Sequence, residues 1–566
     1  MLPTLRSGSI QVLRASVAPF LLLITPFVGY VEYQRYGLAH PEILLVLLLL
    51  AGVAVLLGAA SAWLWAVDVA VLAGLLTFFA DIQAEGPGLK RLGLLFLALC
   101  VVTWLLRRHV HRIVSLMAVT VLAFSVLPRR SEAVTSERLA IEPPPSSAHA
   151  ELPLVVHLLL DEFIGVEGVP TDLAPDAFKQ KIRSFFVDRG FRLFGQAYSE
   201  YPITQWSVPH LLNLAPGHYQ PDLTTHGPGE GTYKLKRNAY FERMARLGYA
   251  IKVREPDFLY LCPEGLPASC VTYASRALTM LHRLDVPTSV KFTILSTTYL
   301  AHSETYTRAS DAYRGARRRL AGKVPLPPWG WQMNTPAAAS SLGVFDAVAH
   351  DLAKAQPGTF LFAHVLIPHY PYVYDADCVQ RPATEWMARS DPYRANVAGG
   401  IANVPEGRAE RYAAYFQQVG CALKQVSRLM DAIPPSRRRD AIIIVQGDHG
   451  SRITLVDPTT IAPVKQTTSD YADAFSTMFA VRSASIGAGY DLQRASITCL
   501  LRALAESDFR STEGVDACST PNTVFFQTGG KPPVRRPLPD FGDKAGQPTD
   551  VAIRETSQPP AKRAKS

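Results

Sequence analysis

After Pro128 the chain has almost no long apolar run, whereas before it such runs are nearly continuous. A chain of 566 residues with so uneven a distribution is read as two regions, because one ordinary domain does not reach that length. Lys and Arg gather into no stripe with interleaved aromatics, which removes the electrostatic footprint expected of a nucleic-acid-binding surface. The formal net charge is +9, but residues 531–566 carry eight basic against four acidic side chains and hold +4 of it, so the rest is only mildly basic. No internal repeat is visible, and none of the seven cysteines stands in a C-x-x-C pair. Six of them (Cys262, Cys270, Cys378, Cys421, Cys499, Cys518) follow Pro128. An even set in an oxidising compartment signals disulfides more often than zinc ligands, although six cysteines allow fifteen pairings. Pairing neighbours along the chain predicts Cys262–Cys270, Cys378–Cys421 and Cys499–Cys518.

What is abundant before Pro128 is bilayer-length apolar sequence. Residues 17–30, 41–60, 62–80, 92–106 and 113–127 read as five spans, the first and last short against the roughly 20 residues that cross a bilayer. The first is read as a retained anchor, since no small-residue cleavage site is evident and four more runs follow. Arg6 and Arg14 precede the first span, and Arg107, Arg108 and Arg112 crowd the fourth loop. Positive loops stay in the cytoplasm, so everything beyond 128 is expected outside, with Arg129 and Arg130 running against the rule. Asp68, inside a span, is a functional-site candidate or a group reaching the interface.

The expected organisation is a membrane domain over 1–128, a Pro- and Ser-rich linker over 129–151, a catalytic domain over 152–527 and a disordered tail over 528–566, which is rich in Pro, Gly and charge. Residues 152–160, 359–367 and 441–445 are continuous apolar runs without alternation, the pattern of strands buried on both faces of a mostly parallel sheet. Helical stretches at 176–188, 240–247, 342–355 and 409–432 separate them, which predicts an α/β sandwich: a mostly parallel sheet between helices.

Each apolar strand runs straight into residues suited to metal or phosphate: Asp161-Glu162, His369, and Asp448-His449-Gly450. In open parallel sheets, ligands bind beyond the carboxyl ends of the strands, so these tips are expected to converge. One Asp at a strand end is usually a turn former, and one His after Pro is usually a surface residue. Three such tips together predict a metal site of zinc or manganese character, since carboxylate and neutral imidazole are the donors those ions accept. A nucleophile is sought in the segment 198–213, where Thr204 and Ser207 each precede a helix-like run. A hydroxyl there serves either as an N-cap or as an attacking group facing the positive end of a helix dipole.

The patterns D-E-F at 161–163, Y-P-x-T-x-x-S-x-P-x-L-L-N at 201–213, H-x-x-x-P-H-Y-P-Y-x-Y-D at 364–375 and Q-G-D-H-G-S-R at 446–452 resemble the membrane-anchored sulfatase-like proteins of bacteria, in the alkaline phosphatase superfamily with lipoteichoic acid synthases and phosphoethanolamine transferases. The resemblance spans about 152–482, and in the membrane region it is one of layout only. It implies Asp161, Asp448 and His449 as metal ligands with Thr204 as nucleophile and fourth ligand. It implies Glu162 as a further candidate ligand, His369 as a contact to donor phosphate or leaving group, and Arg452 as a phosphate contact or a surface charge. Sulfatases need Cys or Ser in a C/S-x-P-x-R segment for formylglycine, and Ser207-Val208-Pro209 starts one, but Leu211 stands where Arg is required. The expectation is therefore a plasma-membrane enzyme with an extracytoplasmic site, moving phosphoglycerol or phosphoethanolamine from a membrane lipid donor to an envelope glycan or lipid through a phosphothreonine. The alternatives are a sulfatase-like hydrolase and a non-catalytic envelope scaffold.

Overall fold

A computed structural model describes residues 2–34, 36–84, 88–126, 135–140, 152–174, 176–216, 223–224, 233–256, 258–262, 265–266, 268–273, 287–320, 337–382, 386, 394–397, 400–403, 405–456, 466–519, 522–528 and 531–541. The apolar region folds into five helices: α1 (Leu2–Tyr33), α2 (Pro41–Ser61), α3 (Trp65–Gln83), α4 (Leu89–Leu105) and α5 (Val110–Val126). Three segments, Ile10–Tyr33, Pro41–Ser61 and Trp65–Gln83, are long and apolar enough to cross a membrane. α4 and α5 have 17 residues each, at the short limit for a span. Many large apolar side chains of these helices, Leu48, Leu56, Leu94 and Phe124 among them, face outward, as a lipid-facing surface requires. Asp68, near the start of α3, is not alone: the His111 ring at the start of α5 lies 2.9 Å from its carboxylate.

The remaining chain builds a nine-stranded sheet. Its strands are β1 (Thr135–Ala140), β2 (Val155–Leu160), β3 (Arg192–Phe194), β4 (Ala250–Pro256), β5 (Ala268–Tyr273), β6 (Thr359–Val365), β7 (Ile442–Gly447), β8 (Phe479–Arg482) and β9 (Gly489–Asp491), in the order β1-β5-β4-β6-β2-β7-β8-β3-β9. The central block β5-β4-β6-β2-β7 is parallel throughout. β2, β6 and β7 bury every residue, which is why their sequences run apolar without alternating. The longer helices of this part are α6 (Asp176–Val187), α7 (Thr204–Leu212), α8 (Ala239–Arg246), α9 (Thr288–Leu300), α10 (Glu304–Arg319), α11 (Ala337–Ala353), α12 (Pro405–Ala432), α13 (Thr468–Phe475) and α14 (Ile497–Glu506), with α9 and α10 lying against α2 and α3. One apolar cluster lies on each face, the first holding Val156, Leu158 and Leu361, the second Val155, Leu159 and Phe360. Alternate residues of one strand thus feed opposite cores.

Two expectations need correction. Thr135–Ala140, inside the expected linker, is the antiparallel edge strand against β5, because one side of β5 would otherwise leave its backbone groups unpaired. The expected disordered tail begins too early: β10 (Thr523–Thr528) and β11 (Lys531–Pro537) form a hairpin, and Val524, Phe526 and Leu538 bury themselves against Tyr471 and Phe475 of α13. A few apolar residues with a partner surface suffice to order a segment whose composition alone reads as disordered. All three neighbour pairings of cysteine are present as disulfides.

Candidate metal centre

The parallel register aligns the three central strands so that Leu160 pairs with Val365 on one side and Gly447 on the other. The next residues, Asp161 and Asp448, therefore leave the sheet side by side. His449 follows Asp448 in a turn with no room for a side chain at position 450, where a Cβ would lie 2.3 Å from the Asp473 carbonyl oxygen. Asp161, Asp448 and His449 are all buried, and one donor atom of each falls within 4.8 Å of the other two.

The hydrogen bonds around these donors favour a cation. Asp448 Oδ1 accepts the backbone N–H of Glu162 at 3.0 Å and of His449 at 2.9 Å. Its Oδ2 is buried and accepts none, yet lies 3.2 Å from His449 Nε2. His449 Nδ1 lies 3.0 Å from the Gly450 carbonyl oxygen, to which it donates, and this leaves the Nε2 lone pair facing Asp448 and Asp161. A buried carboxylate oxygen without a proton donor and an imidazole lone pair pointing at the same spot both fit a metal ion. The electrostatics agree. Burial raises the Asp448 pKa and the nearby Asp161 charge raises it further. Burial acts upward on Asp161 as well, but His369, His364 and His449 outweigh it and hold Asp161 below the usual carboxylate range. Two buried carboxylates this close need positive charge beside them.

Thr204 is the first residue of α7, with Ile203 in extended conformation before it. Its Oγ1 lies 3.2 Å from His449 Nε2 and 3.4 Å from Asp161 Oδ2, at the end of a helix whose first amides lack intrahelical acceptors. Ser207, one turn on, is buried in the helix with its Oγ in no hydrogen bond. The site thus gathers Asp161, Asp448, His449 and Thr204 and leaves Ser207 aside.

Glu162 takes a different place. Its backbone turns into the left-handed region, φ 63°, so its side chain leaves the metal cluster. The carboxylate accepts the Tyr370 N–H at 3.1 Å and lies 3.5 Å from His369 Nε2 and 3.7 Å from Arg452 Nη1. It orients a cationic rim. Burial works to lower the His369 pKa, but the charges of Glu162 and Asp161 win and raise it, so the ring holds a proton to higher pH than an ordinary histidine. Gln418 of α12 ties down the loop carrying His369, with Nε2 donating to the carbonyls of Pro368 and His369 and Oε1 accepting from Val373 and Tyr374. Cys378–Cys421 joins the same loop to the same helix.

Sequence reasoning assigned no role to His364, which is fully buried in β6 with Nε2 3.3 Å from Asp161 Oδ2. It stands inside an apolar strand five residues before His369, and a polar ring at a fully buried strand position was the available signal.

No protein-family model and no curated protein matches the chain. Solved structures do. A 2-O GAG sulfatase is 13% identical over 66% of this chain and 77% of its own, with a TM-score of 0.40. The phosphonate monoester hydrolase of Agrobacterium radiobacter is 13% identical over 66% and 80%, with a TM-score of 0.37. The zinc-bound C-terminal periplasmic domain of EcEptC from Escherichia coli is 11% identical over 71% and 94%, with a TM-score of 0.37. At such identities and scores the likeness says nothing of chemistry, which rests on the residues of the site.

Proposed function

We propose that this chain is a membrane-anchored, metal-dependent phosphotransferase that moves a phospholipid headgroup, phosphoglycerol or phosphoethanolamine, to an envelope glycan or lipid through a phosphothreonine at Thr204. The observation that carries the reading is the position of Thr204 Oγ1, 3.2 Å from His449 Nε2 and 3.4 Å from Asp161 Oδ2, at the amino end of α7. A zinc or manganese ion held by Asp161, Asp448, His449 and the Thr204 oxygen would supply the positive charge that ionises the hydroxyl at neutral pH. Thr204 Oγ1 attacks phosphorus, forming a P–O bond while the bond from phosphorus to the diacylglycerol oxygen breaks. His369, held protonated by Glu162, gives its proton to that departing oxygen. Arg452 and the first amides of α7 face the charge that develops on the non-bridging oxygens. An acceptor hydroxyl then displaces Thr204, returning a proton to His369.

The rim argues for a phosphoryl donor of this kind, because His369 and Arg452 suit an anion while their shared partner Glu162 stays buried between them. We place the five helices in the plasma membrane with the site outside. Full-length enzyme in vesicles with headgroup-labelled phosphatidylglycerol or phosphatidylethanolamine tests the reading. The expected result is label on Thr204 by mass spectrometry after quenching, chased by added acceptor. Release of the headgroup phosphate to water alone would make the enzyme a hydrolase, and label absent from Thr204 would remove the covalent step.

A further inference from the structure

Asp81 lies in the last turn of α3, and its carboxylate is buried and accepts three hydrogen bonds. All three of those bonds come from the catalytic domain: Ser303 Oγ donates to it at 2.6 Å, the Glu304 N–H at 3.0 Å and the Thr305 N–H at 3.2 Å. Glu304 and Thr305 are the first two residues of α10, whose opening amides have no carbonyl of their own helix to bond. Ser303 Oγ meanwhile accepts the Tyr306 N–H at 3.0 Å. A membrane-helix carboxylate therefore completes the amino-terminal cap of a helix in the other domain, where the helix dipole also favours negative charge.

The preceding helix extends this joint with apolar contact. α9 packs on α2, and its Val290, Ile294, Leu295 and Tyr299 share one buried cluster with Phe27, Tyr30, Ile43 and Val46 of the membrane helices. The Tyr299 ring meets Phe27 edge-on at 5.3 Å and Tyr30 at 5.5 Å, and His302 lies against Tyr30 at 5.0 Å. Domains joined through one chain segment move relative to each other unless such an interface is large and apolar. Here the apolar layer supplies adhesion, and the directional bonds to Asp81 select one orientation.

We infer that Asp81 is a positioning residue that seats the catalytic domain in one orientation on the membrane helices so that the site meets a substrate delivered by the bilayer. The inference rests on the reading of the donor as a membrane lipid. With the seat fixed, a lipid diffusing in the membrane meets the site at a high effective concentration. With the seat loosened, the domain spends most of its time turned away, while a substrate dissolved in water reaches the site equally well in either case.

The test uses full-length protein in vesicles of phosphatidylethanolamine and phosphatidylglycerol, with wild type, Asp81→Asn and Asp81→Ala compared on the vesicle lipids and on bis(p-nitrophenyl) phosphate. Asp81→Ala should lower kcat/KM for the lipid by about tenfold and change turnover of the soluble diester by less than about twofold, since only effective concentration is altered. Asp81→Asn, whose amide oxygen still accepts hydrogen bonds, should fall between. In parallel, spin labels at Ala39→Cys and Ala353→Cys, both exposed, in a Cys100→Ala background should give a single distance that broadens in Asp81→Ala. Equal loss on both substrates, or an unbroadened distance, overturns the inference. A wild type that cleaves the soluble diester and leaves both lipids intact defeats the lipid-donor reading instead; the distance measurement then decides the seat by itself, broadening upholding it.

Discussion

Thr204 and Ser207 lie one turn apart on the same short helix, and of the two hydroxyls only that of Thr204 is in hydrogen-bond contact with His449 and Asp161. Thr204→Ala is expected to lower turnover by about a thousandfold or more, the scale of losing a nucleophile, while metal content stays near that of wild type. Ser207→Ala removes a buried hydroxyl with no hydrogen bond, so activity should stay within about tenfold and stability should hold or rise. A dead Ser207→Ala beside an active Thr204→Ala would move the nucleophile. Metal content separates the ligands from their neighbours. Asp448→Ala and His449→Ala are expected to purify without metal, and Glu162→Gln with it, since Glu162 bonds to Tyr370 and faces His369 and Arg452. Elemental analysis of the three proteins reads the difference, and full occupancy in Asp448→Ala would place the ion elsewhere.

At the scale of elements, β2 and α12 each make a testable claim. His157 sits in the middle of β2 with no exposure, and burial lowers its pKa to about 3. The sign follows from proton counting. Below pH 6.5 the unfolded chain takes up a proton that the folded chain refuses, so stability falls as pH drops from 6.5 towards 3, by at most about 1.4 kcal/mol per unit. His157→Leu should flatten that part of the acid-stability curve relative to wild type in thermal melts between pH 7 and 4; parallel curves would show that the ring takes no part. On α12, Cys421 and Gln418 hold the His369 loop by a disulfide and by five hydrogen bonds. Replacing both Cys378 and Cys421 by Ser should cost about 2–4 kcal/mol. Activity should fall less than in Gln418→Ala, because Gln418 bonds the backbone on both sides of His369. Assays of the double-Ser protein and Gln418→Ala at one temperature, below both melting points, check the order, and the reverse order would make the disulfide the main brace.

The proposed function requires the whole molecule to place its site on one side of the bilayer. α1, α3 and α5 run one way and α2 and α4 the other if all five cross. Asp68 and His111 then meet at one membrane face, and Asp81 and Ser303 at the opposite face with the catalytic domain. An alkaline phosphatase reporter fused after Trp63, between α2 and α3, should be inactive, and one fused after Asp540, beyond the β10–β11 hairpin, should be active. Activity at Trp63 with silence at Asp540 would invert the molecule and remove the envelope function proposed above. The membrane helices also share the apolar cluster that covers one face of the sheet, through Tyr30, Val31 and Ile43 packed with α9.

Much of the site was legible because strand burial and strand ends leave local marks. An unbroken apolar run such as 441–445, followed by Gln446 and then Gly, Asp and His, announces both a buried parallel strand and the group at its tip. The helix that presents Thr204 was likewise visible from its own segment, and cysteines close in sequence paired as neighbours because little chain has to be ordered between them. What the residues could not disclose on their own depends on partners far along the chain. The edge strand 135–140 exists because β5 offers unpaired backbone, and the 523–537 hairpin because α13 offers an apolar surface. His364 joined the site through the register of β6 beside β2, Glu162 left it through one left-handed backbone turn, and Asp81 found its three donors more than two hundred residues away. Burial and periodicity are properties of a segment, and so a sequence carries them, whereas register, cap partners and the direction of a side chain are set by which surfaces meet once the chain has closed on itself.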